Sequence, residues 1–228
     1  MTSVEESEAM QTGEGRVQAP SEGGTPHRRP GRPCGRTDRR GLLLDAALTL
    51  FAQHGVQNTT LREIADHVCL TPAMAHYYFH SREQLLDALV EERLLPLAIR
   101  INEAFEEDGR DPPARVAAFV RRLLEAAEEC PSLPPLWVRE MLSEGGTLRG
   151  RLLKRLEEAG REKADRRLEG WGREGLFSRN VEPSLVFTSI VALTLLPLAE
   201  GWCSTGPVTR DQLERHVSAL LSGGLFAK

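Results

Sequence analysis

Apolar positions recur at helical spacing along most of this chain, and the polar residues between them mark where each helix starts and stops. Leu43, Ala46, Ala47, Leu50 and Phe51 follow the i, i+3, i+4, i+7, i+8 rhythm of one buried face. This predicts a first helix over 37–54, with Gly55 as its terminator. In the following TTLRE, Thr60 can cap a helix while Glu63 reaches back to it, which predicts a second, short helix over 61–67. Val68, Cys69 and Leu70 form a turn. Thr71 then serves as N-cap and Pro72 suits the first helical position, because its missing N–H had no intrahelical partner to lose. The third helix is predicted over 72–78. Ser81, with Gln84 three residues later, opens a long periodic segment through Leu85, Leu86, Leu89 and Val90 toward Phe105, which Pro96 bends or breaks.

Beyond Pro113, Val116, Phe119, Val120, Leu123 and Leu124 predict a helix over 114–129. Pro131, Pro134 and Pro135 punctuate the chain before a short helix from Leu136 to Leu142. After Gly145 and Gly146 come a charged helix over 148–174, an apolar one over 183–202 and a last one over 209–222. No alternating Val/Ile/Thr-rich run stands between turn signals, so the predicted class is all-α. The uncharged stretch from Pro183 to Ala199 is short, interrupted by Pro197 and carries Ser184, Thr188, Ser189 and Thr194. It reads as a buried helix, not a membrane span.

Composition and charge sharpen this outline. The 228 residues are 40% hydrophobic, enough for a proper core without covalent staples. Cys34, Cys69, Cys130 and Cys203 are scattered, with no Cys-x-x-Cys pair, so neither a disulfide framework nor a zinc ribbon is expected. The first 20 residues lack the basic and apolar regions of a secretory signal. Both observations fit a reducing cytoplasm. The net charge of −4 is unevenly spread: residues 1–26 carry five Glu and one Arg, whereas residues 27–40 carry six Arg and one Asp. Positive charge thus gathers just ahead of the first helix, as in a nucleic-acid-binding end attached to an acidic body. Residues 1–36 are rich in Glu, Gly, Pro, Ser and Arg with almost no apolar spacing, which predicts a disordered tail.

Two short helices joined by a three-residue turn have the spacing of a helix-turn-helix. On the third helix Ala75 and Phe79, four apart, can close a small core with Ile64, Ala65 and Leu70. Pro72, Ala73, His76 and Tyr77 then fall on another face. The only two tyrosines of the chain, Tyr77 and Tyr78, stand side by side here. Outward aromatics are costly as plain surface but useful against DNA, where rings pack on sugars and thymine methyls and hydroxyls reach phosphate.

Over Leu42 to Leu89 the chain resembles the DNA-binding domain of the TetR family of bacterial transcriptional regulators. The matching residues are ALTLFAQHGVQNTTLREIA, TPAMAHYYF and SREQLLDAL. The resemblance implies that Thr60, Tyr78 and Arg82 bind phosphate, that Thr71, Pro72, Ala73, Met74, His76 and Tyr77 line the major groove, and that Phe79 holds the helix in place. The sequence departs from the family pattern at Cys69, where a glycine is common, at Arg82 in place of lysine, and at His76 in place of a frequent tyrosine. The resemblance also implies an effector cavity in the body and a homodimer formed by the last two helices. Leu185, Val191 and Leu195 on the first of these, and Leu213, Val217 and Leu220 on the second, are the expected interface residues.

From Pro72 to Phe79 there is no Arg, Lys, Asn or Gln, so the bidentate base contacts are missing from this helix. Apolar contact of Ala73, Met74 and Tyr77 with thymine methyls, helped by DNA shape, is the expected readout. Upstream, HRRPGRPCGRTDRR resembles an AT-hook, with Gly31, Arg32 and Pro33 as its core; Arg32 and Arg36 are the residues expected in a narrow minor groove. A solvated basic linker is the other reading.

Phe105, Phe119, Leu123, Trp137, Met141, Trp171 and Phe187 are expected around an apolar ligand pocket, although core packing explains such aromatics equally well. His76 and His80 stand four apart near His67 and Cys69, but no further acidic or cysteine pair completes a metal site, and neither metal nor cofactor is expected. No nucleophile constellation or phosphate loop is present, which speaks against an enzyme. The expected whole is a tail (1–36), a three-helix DNA-binding head (37–82) and a helical-bundle domain for effector binding and dimerisation (83–228). Such a protein works in the cytoplasm, at the nucleoid, as a homodimer on double-stranded DNA and answers to a small apolar effector. The rivals are a helical ligand- or partner-binding protein without DNA binding, and a small helical enzyme.

Overall fold

Asp38 caps α1 (Arg39–His54), its Oδ1 accepting a hydrogen bond from the Gly41 N–H at 3.0 Å. The computed structural model describes residues 38–106, 111–142, 146–158, 162–199 and 208–226, so the tail predicted over 1–36 lies outside the described residues. Gly55 ends α1 at φ +88°, a backbone region open to glycine at no steric cost, and its N–H donates to the Phe51 carbonyl at 2.9 Å. Then come α2 (Leu61–His67) and α3 (Pro72–Tyr78), with the boundaries that the caps and periodicity predicted, and α4 (Arg82–Leu89), which starts behind the predicted Ser81 cap. Their apolar faces meet in one cluster: Leu43, Leu44 and Phe51 from α1, Ile64 and Ala65 from α2, Ala75 and Phe79 at α3, and Leu85, Leu86 and Leu89 from α4. Each large side chain so buried contributes about 1.5–3 kcal/mol.

Ser81 caps α4, accepting from the Gln84 N–H at 3.2 Å, but the reciprocal arm of the predicted capping box lands one residue earlier: Gln84 Oε1 accepts from His80 N–H at 3.1 Å. Past α4 the helix continues through a π-turn at Val90–Leu94 into α5 (Leu95–Asn102) and a 3₁₀ turn at Glu103–Phe105. Pro96 explains the π-turn. With no N–H to offer the Glu92 carbonyl, and a ring that crowds it, proline is accommodated by widening the turn in front of it.

The body holds α6 (Pro112–Glu129), α7 (Leu133–Leu142), α8 (Thr147–Glu158), α9 (Glu162–Arg173), α10 (Pro183–Leu195) with a 3₁₀ turn at Leu196–Leu198, and α11 (Arg210–Gly224). The helix predicted over 148–174 is described in two parts, α8 and α9, and residues 159–161 between them lie outside the described residues. Two expectations need correction. Pro134 and Pro135 do not precede α7; they occupy its first turn, where a missing N–H costs nothing. The apolar helix predicted to reach residue 202 stops at Leu195 and tightens into the turn that carries Pro197.

Phe105, Phe119, Leu124, Trp171, Ile190 and Val217 anchor a second apolar cluster that gathers α6, α9, α10 and α11. Phe105 and Phe119 stack with centroids 4.8 Å apart, and Trp171 joins Phe105 at 6.2 Å. Among the described residues the single β-type contact is a bridge between Phe177 and Phe226. Among the described residues no helix is long and apolar enough to cross a membrane.

Candidate nucleic-acid interface and effector cavity

The geometry of α2, the turn and α3 follows from three short-range devices. At the start of α2 the Thr60 N–H donates to Glu63 Oε2 at 2.7 Å, while the Glu63 N–H donates to Thr60 Oγ1 at 3.2 Å. These bonds from the Thr60 backbone and side chain hold the Glu63 carboxyl below its usual range. At the end of α2 the Cys69 N–H donates to the Asp66 carbonyl at 3.1 Å and the Leu70 N–H to the Ala65 carbonyl at 2.9 Å. That is a Schellman motif, and it puts Cys69 at φ +55°, the left-handed position that glycine usually fills. The departure noted at Cys69 therefore carries backbone strain and leaves the turn intact. Third, the Met74 N–H donates to Thr71 Oγ1 at 3.3 Å, which starts α3 with Pro72 in its first turn.

With Ala75 and Phe79 buried, α3 presents Thr71, Pro72, Ala73, His76 and Tyr77 to solvent, and Met74 is half-buried beside them. Tyr77 is 73% exposed, the most open of the large hydrophobic side chains among the described residues. Tyr78 is half-buried against the head core. A buried anchor and an open, largely apolar face on one seven-residue helix make a surface that can enter a groove and touch base edges.

The expected phosphate contacts stand in varied surroundings. Thr60 is exposed, but its hydroxyl already donates to Glu63 Oε2 at 2.9 Å. Arg82 is half-buried and donates to the Val56 carbonyl, tying the start of α4 to the loop behind Gly55, while its Nε has no hydrogen-bond partner. Arg32 and Arg36 lie outside the described residues. Sequence reading missed Arg40, whose guanidinium lies 5.0 Å over the Phe79 ring and pairs with Glu92, so that the anchor of α3 is clamped from its outer side.

In the body, α5, α6, α7, α8 and α10 enclose a cavity of about 330 Å³. The structure brings Phe119, Leu123, Trp137 and Phe187 together on its wall. Phe105 and Trp171 instead fill the core beside it, and the side chain of Met141 lies outside the described residues. Four polar residues join the lining: Asn102, Glu140, Arg149 and Thr188. Glu140 is buried and spoken for, because its Oε2 accepts from the N–H groups of Leu148 and Arg149 at 2.9 and 3.2 Å and so caps α8. Asn102 Nδ2 donates to the Ala98 carbonyl at 2.7 Å, but its Oδ1 is buried without a partner. An acceptor left in this state costs about 1–3 kcal/mol. Periodicity gave no signal for Asn102, since one polar residue at a helix end reads as surface.

The cavity and the head share walls. Leu94, Leu136 and Leu148 belong to the apolar cluster of the head and also line the cavity. On the outside Arg151 of α8 pairs with both Glu83 and Asp87 of α4, and Arg155 reaches Glu91 at 2.5 Å.

Of the residues expected at a dimer interface, only Leu185 and Leu220 are exposed, by 61% and 49%. Val191, Leu195, Leu213 and Val217 are buried within the protomer, and Val191 and Leu195 face the cavity. The reason is that α10 is apolar nearly all round, so periodicity cannot say which face meets the protomer's own core. The exposed apolar stripe on α10 is Leu185 and Leu193, which border a groove of about 350 Å³ together with Leu220 and Gly224 of α11. Cys130 closes α6 half-buried, where desolvation pushes its thiol up and away from nucleophilic use. Among the described residues no three His, Cys, Asp or Glu side chains converge on a metal position.

Residues 43–89 match the family described as bacterial regulatory proteins, tetR family. The chain is 27% identical over 191 residues to the HTH-type transcriptional repressor KstR2 of Rhodococcus jostii, covering 84% of this chain and 93% of that protein. In three dimensions it resembles the ketosteroid transcriptional regulator KstR2 of Mycobacterium tuberculosis, with a TM-score of 0.63 at 24% identity over 86% of this chain and all of the other. It has the same fold as AibR, solved in complex with isovaleryl coenzyme A and operator DNA, with a TM-score of 0.62 at 19% identity over 80% and 97% of the two chains. Residues 43–89, with their helix-turn-helix, are a DNA-binding head of the TetR family of transcriptional regulators, and the chain as a whole shares the fold of regulators built on a helical body.

Proposed function

We propose that this protein is a ligand-responsive repressor that works in the cytoplasm as a homodimer on a pseudo-palindromic operator. The observation that carries the reading is the split character of α3, with Ala75 and Phe79 buried while Pro72, Ala73, His76 and Tyr77 are open. In this reading Thr71, Pro72, Ala73, Met74, His76 and Tyr77 enter the major groove, and Thr60, Tyr78 and Arg82 steady the head on phosphates. Arg82 has to share its guanidinium between the Val56 carbonyl and DNA. Arg32 and Arg36 reach into the adjacent minor groove, where narrowing concentrates negative potential.

Dimerisation through Leu185, Leu193 and Leu220 covers an apolar stripe that water otherwise meets, and it sets the reach between two copies of α3. A small, mainly apolar effector occupies the cavity. Support for a body of this fold serving both tasks comes from AibR, described with isovaleryl coenzyme A and operator DNA together. The name of the Rhodococcus relative supports repression as the sign of regulation. Because the cavity and the head share Leu94, Leu136 and Leu148, a ligand that shifts these side chains favours one head arrangement over another, and DNA affinity follows.

The test is binding-site selection with the full chain, followed by footprinting and fluorescence anisotropy at several salt concentrations. The expected result is two half-sites with centres about 34–36 Å apart and an affinity that falls steeply with salt. Failure to enrich any sequence, with DNA binding absent at low salt, overturns the reading.

A further inference from the structure

We propose that Arg40 is a positioning residue for DNA recognition: it fixes the tilt of α3 by holding the ring of Phe79 from outside, and Glu92 keeps Arg40 in that place. This rests on the reading of α3 as the helix that meets base pairs. Two points decide how so short a helix lies. At its front, α3 is fixed by the Thr71 cap and by the turn at Cys69. At its back, the Phe79 N–H donates to the Ala75 carbonyl at 2.8 Å and the backbone then runs extended, so the last turn follows the Phe79 ring.

That ring belongs to the apolar cluster of the head and is 1% exposed. Arg40 covers it, with the guanidinium carbon 5.0 Å from the ring centroid. A guanidinium can lie flat on an aromatic face while its edge donates hydrogen bonds, which a lysine ammonium cannot do. Arg40 Nη1 donates from that edge to Glu92 Oε2. Glu92 is itself held in place, because its neighbour Arg93 donates to Asp45 Oδ1 at 2.7 Å and to the Gly41 carbonyl at 3.5 Å. The π-turn at Val90–Leu94 is thereby fastened to α1 by two consecutive side chains, one of which reaches the anchor of α3 through Arg40.

Tilt matters here because α3 offers no Arg, Lys, Asn or Gln to the bases. Apolar contacts fade over short distances: a gap of about 0.5–1 Å forfeits a quarter to a half of the attraction. Attraction between the head and the phosphate charge is long-ranged and tolerates the same shift. Loosening the clamp therefore lowers the ratio of operator to non-operator affinity and does not lower both alike.

The test uses the full-length protein, its selected operator and a scrambled duplex of the same length and composition, with anisotropy titrations at several salt concentrations. Arg40→Lys keeps the charge but loses the plane that serves the ring and Glu92 together. It is expected to bind the scrambled duplex within about twofold of wild type at an unchanged salt slope, and the operator at least about fivefold more weakly. Glu92→Gln leaves the plane but loosens its hold, and should lower the same ratio by a smaller factor. The double variant should be no worse than Arg40→Lys alone, because the two residues act through one contact. Titrations well below each variant's thermal midpoint separate this effect from loss of fold. An operator-to-scrambled ratio unchanged in Arg40→Lys overturns the proposal, as do equal losses on both duplexes, and both results leave the reading of α3 in place. A wild type that binds the two duplexes alike overturns both.

Discussion

The rings of Tyr77 and Tyr78 meet edge to face, their centroids 5.2 Å apart and their planes 81° from one another, yet the two side chains have opposite surroundings. Tyr78 packs against the head core; Tyr77 stands 73% exposed. Adjacent positions on a helix point about 100° apart, so a tyrosine pair next to a buried Phe79 necessarily divides between support and display. Tyr77→Ala is expected to leave the thermal midpoint within about 1 °C, as for a surface change of small ΔΔG, and to lower operator affinity about tenfold, on the order of 1.4 kcal/mol. Tyr78→Ala is expected to destabilise the head by about 1–3 kcal/mol through lost packing. Paired melting curves and anisotropy titrations separate the two effects, and equal losses of stability in both variants contradict the division.

Cys69 offers a test of strain in the turn. At φ +55° a cysteine bears a steric cost that glycine does not, while glycine loses more entropy on folding. The two terms nearly offset, so Cys69→Gly should change stability by no more than about 1 kcal/mol. Cys69→Val puts a β-branched residue in the same backbone region and should destabilise by more than that amount. A chemical denaturation series decides it: valine tolerated as well as glycine is incompatible with the Schellman geometry at Leu70.

The capping box of α2 predicts an acid response. The Glu63 carboxyl titrates below its ordinary value of 4.5 because Thr60 hydrogen-bonds its charged form. A carboxylate whose folded-state pKa is depressed adds stability at pH values above the unfolded pKa, and that addition disappears as pH falls through the lowered folded value. Thr60→Ala removes the cap, should cost on the order of 1 kcal/mol near neutrality, and should flatten this part of the pH profile. Stability curves from pH 7 to 3 for wild type and variant are the measurement; parallel curves contradict the assignment.

Leu185 and Leu220 are the positions at which an inserted charge should separate subunits. Leu185→Asp or Leu220→Glu leaves the protomer core untouched, since both side chains are largely exposed in the protomer. Light scattering should show monomers at concentrations where the wild type is dimeric, with operator affinity reduced by at least about a hundredfold once the two heads are no longer linked. Val217→Asp, by contrast, should unfold the protein, because Val217 is fully buried.

The head was readable from the chain in order because its signals are local: caps at Thr60, Thr71 and Ser81, a glycine stop at Gly55 and short amphipathic helices whose one apolar face has one place to go. The body was less readable for the same physical reason. α10 is apolar on nearly every side, so its sequence does not separate Leu185, which faces outward, from Val191 and Leu195, which line the cavity. Aromatic content pointed to Phe119, Trp137 and Phe187 and equally to Phe105 and Trp171, and only packing divides the cavity wall from the filled core. Asn102 was invisible because its significance lies in a missing partner. So was the clamp of Arg151 on Glu83 and Asp87, whose members are more than sixty residues apart.

Because α3 lacks Arg, Lys, Asn and Gln, the proposed readout is apolar contact from Ala73, Met74 and Tyr77. The most direct measurement is therefore the affinity of the full-length protein for every single base-pair substitution across its selected operator. The account predicts that the largest losses, about 1–3 kcal/mol each, fall where thymine methyls facing α3 are removed, and that Tyr77→Ala erases the preference at one of those positions. Strongest selectivity at G·C pairs facing α3, unchanged in Tyr77→Ala, contradicts it.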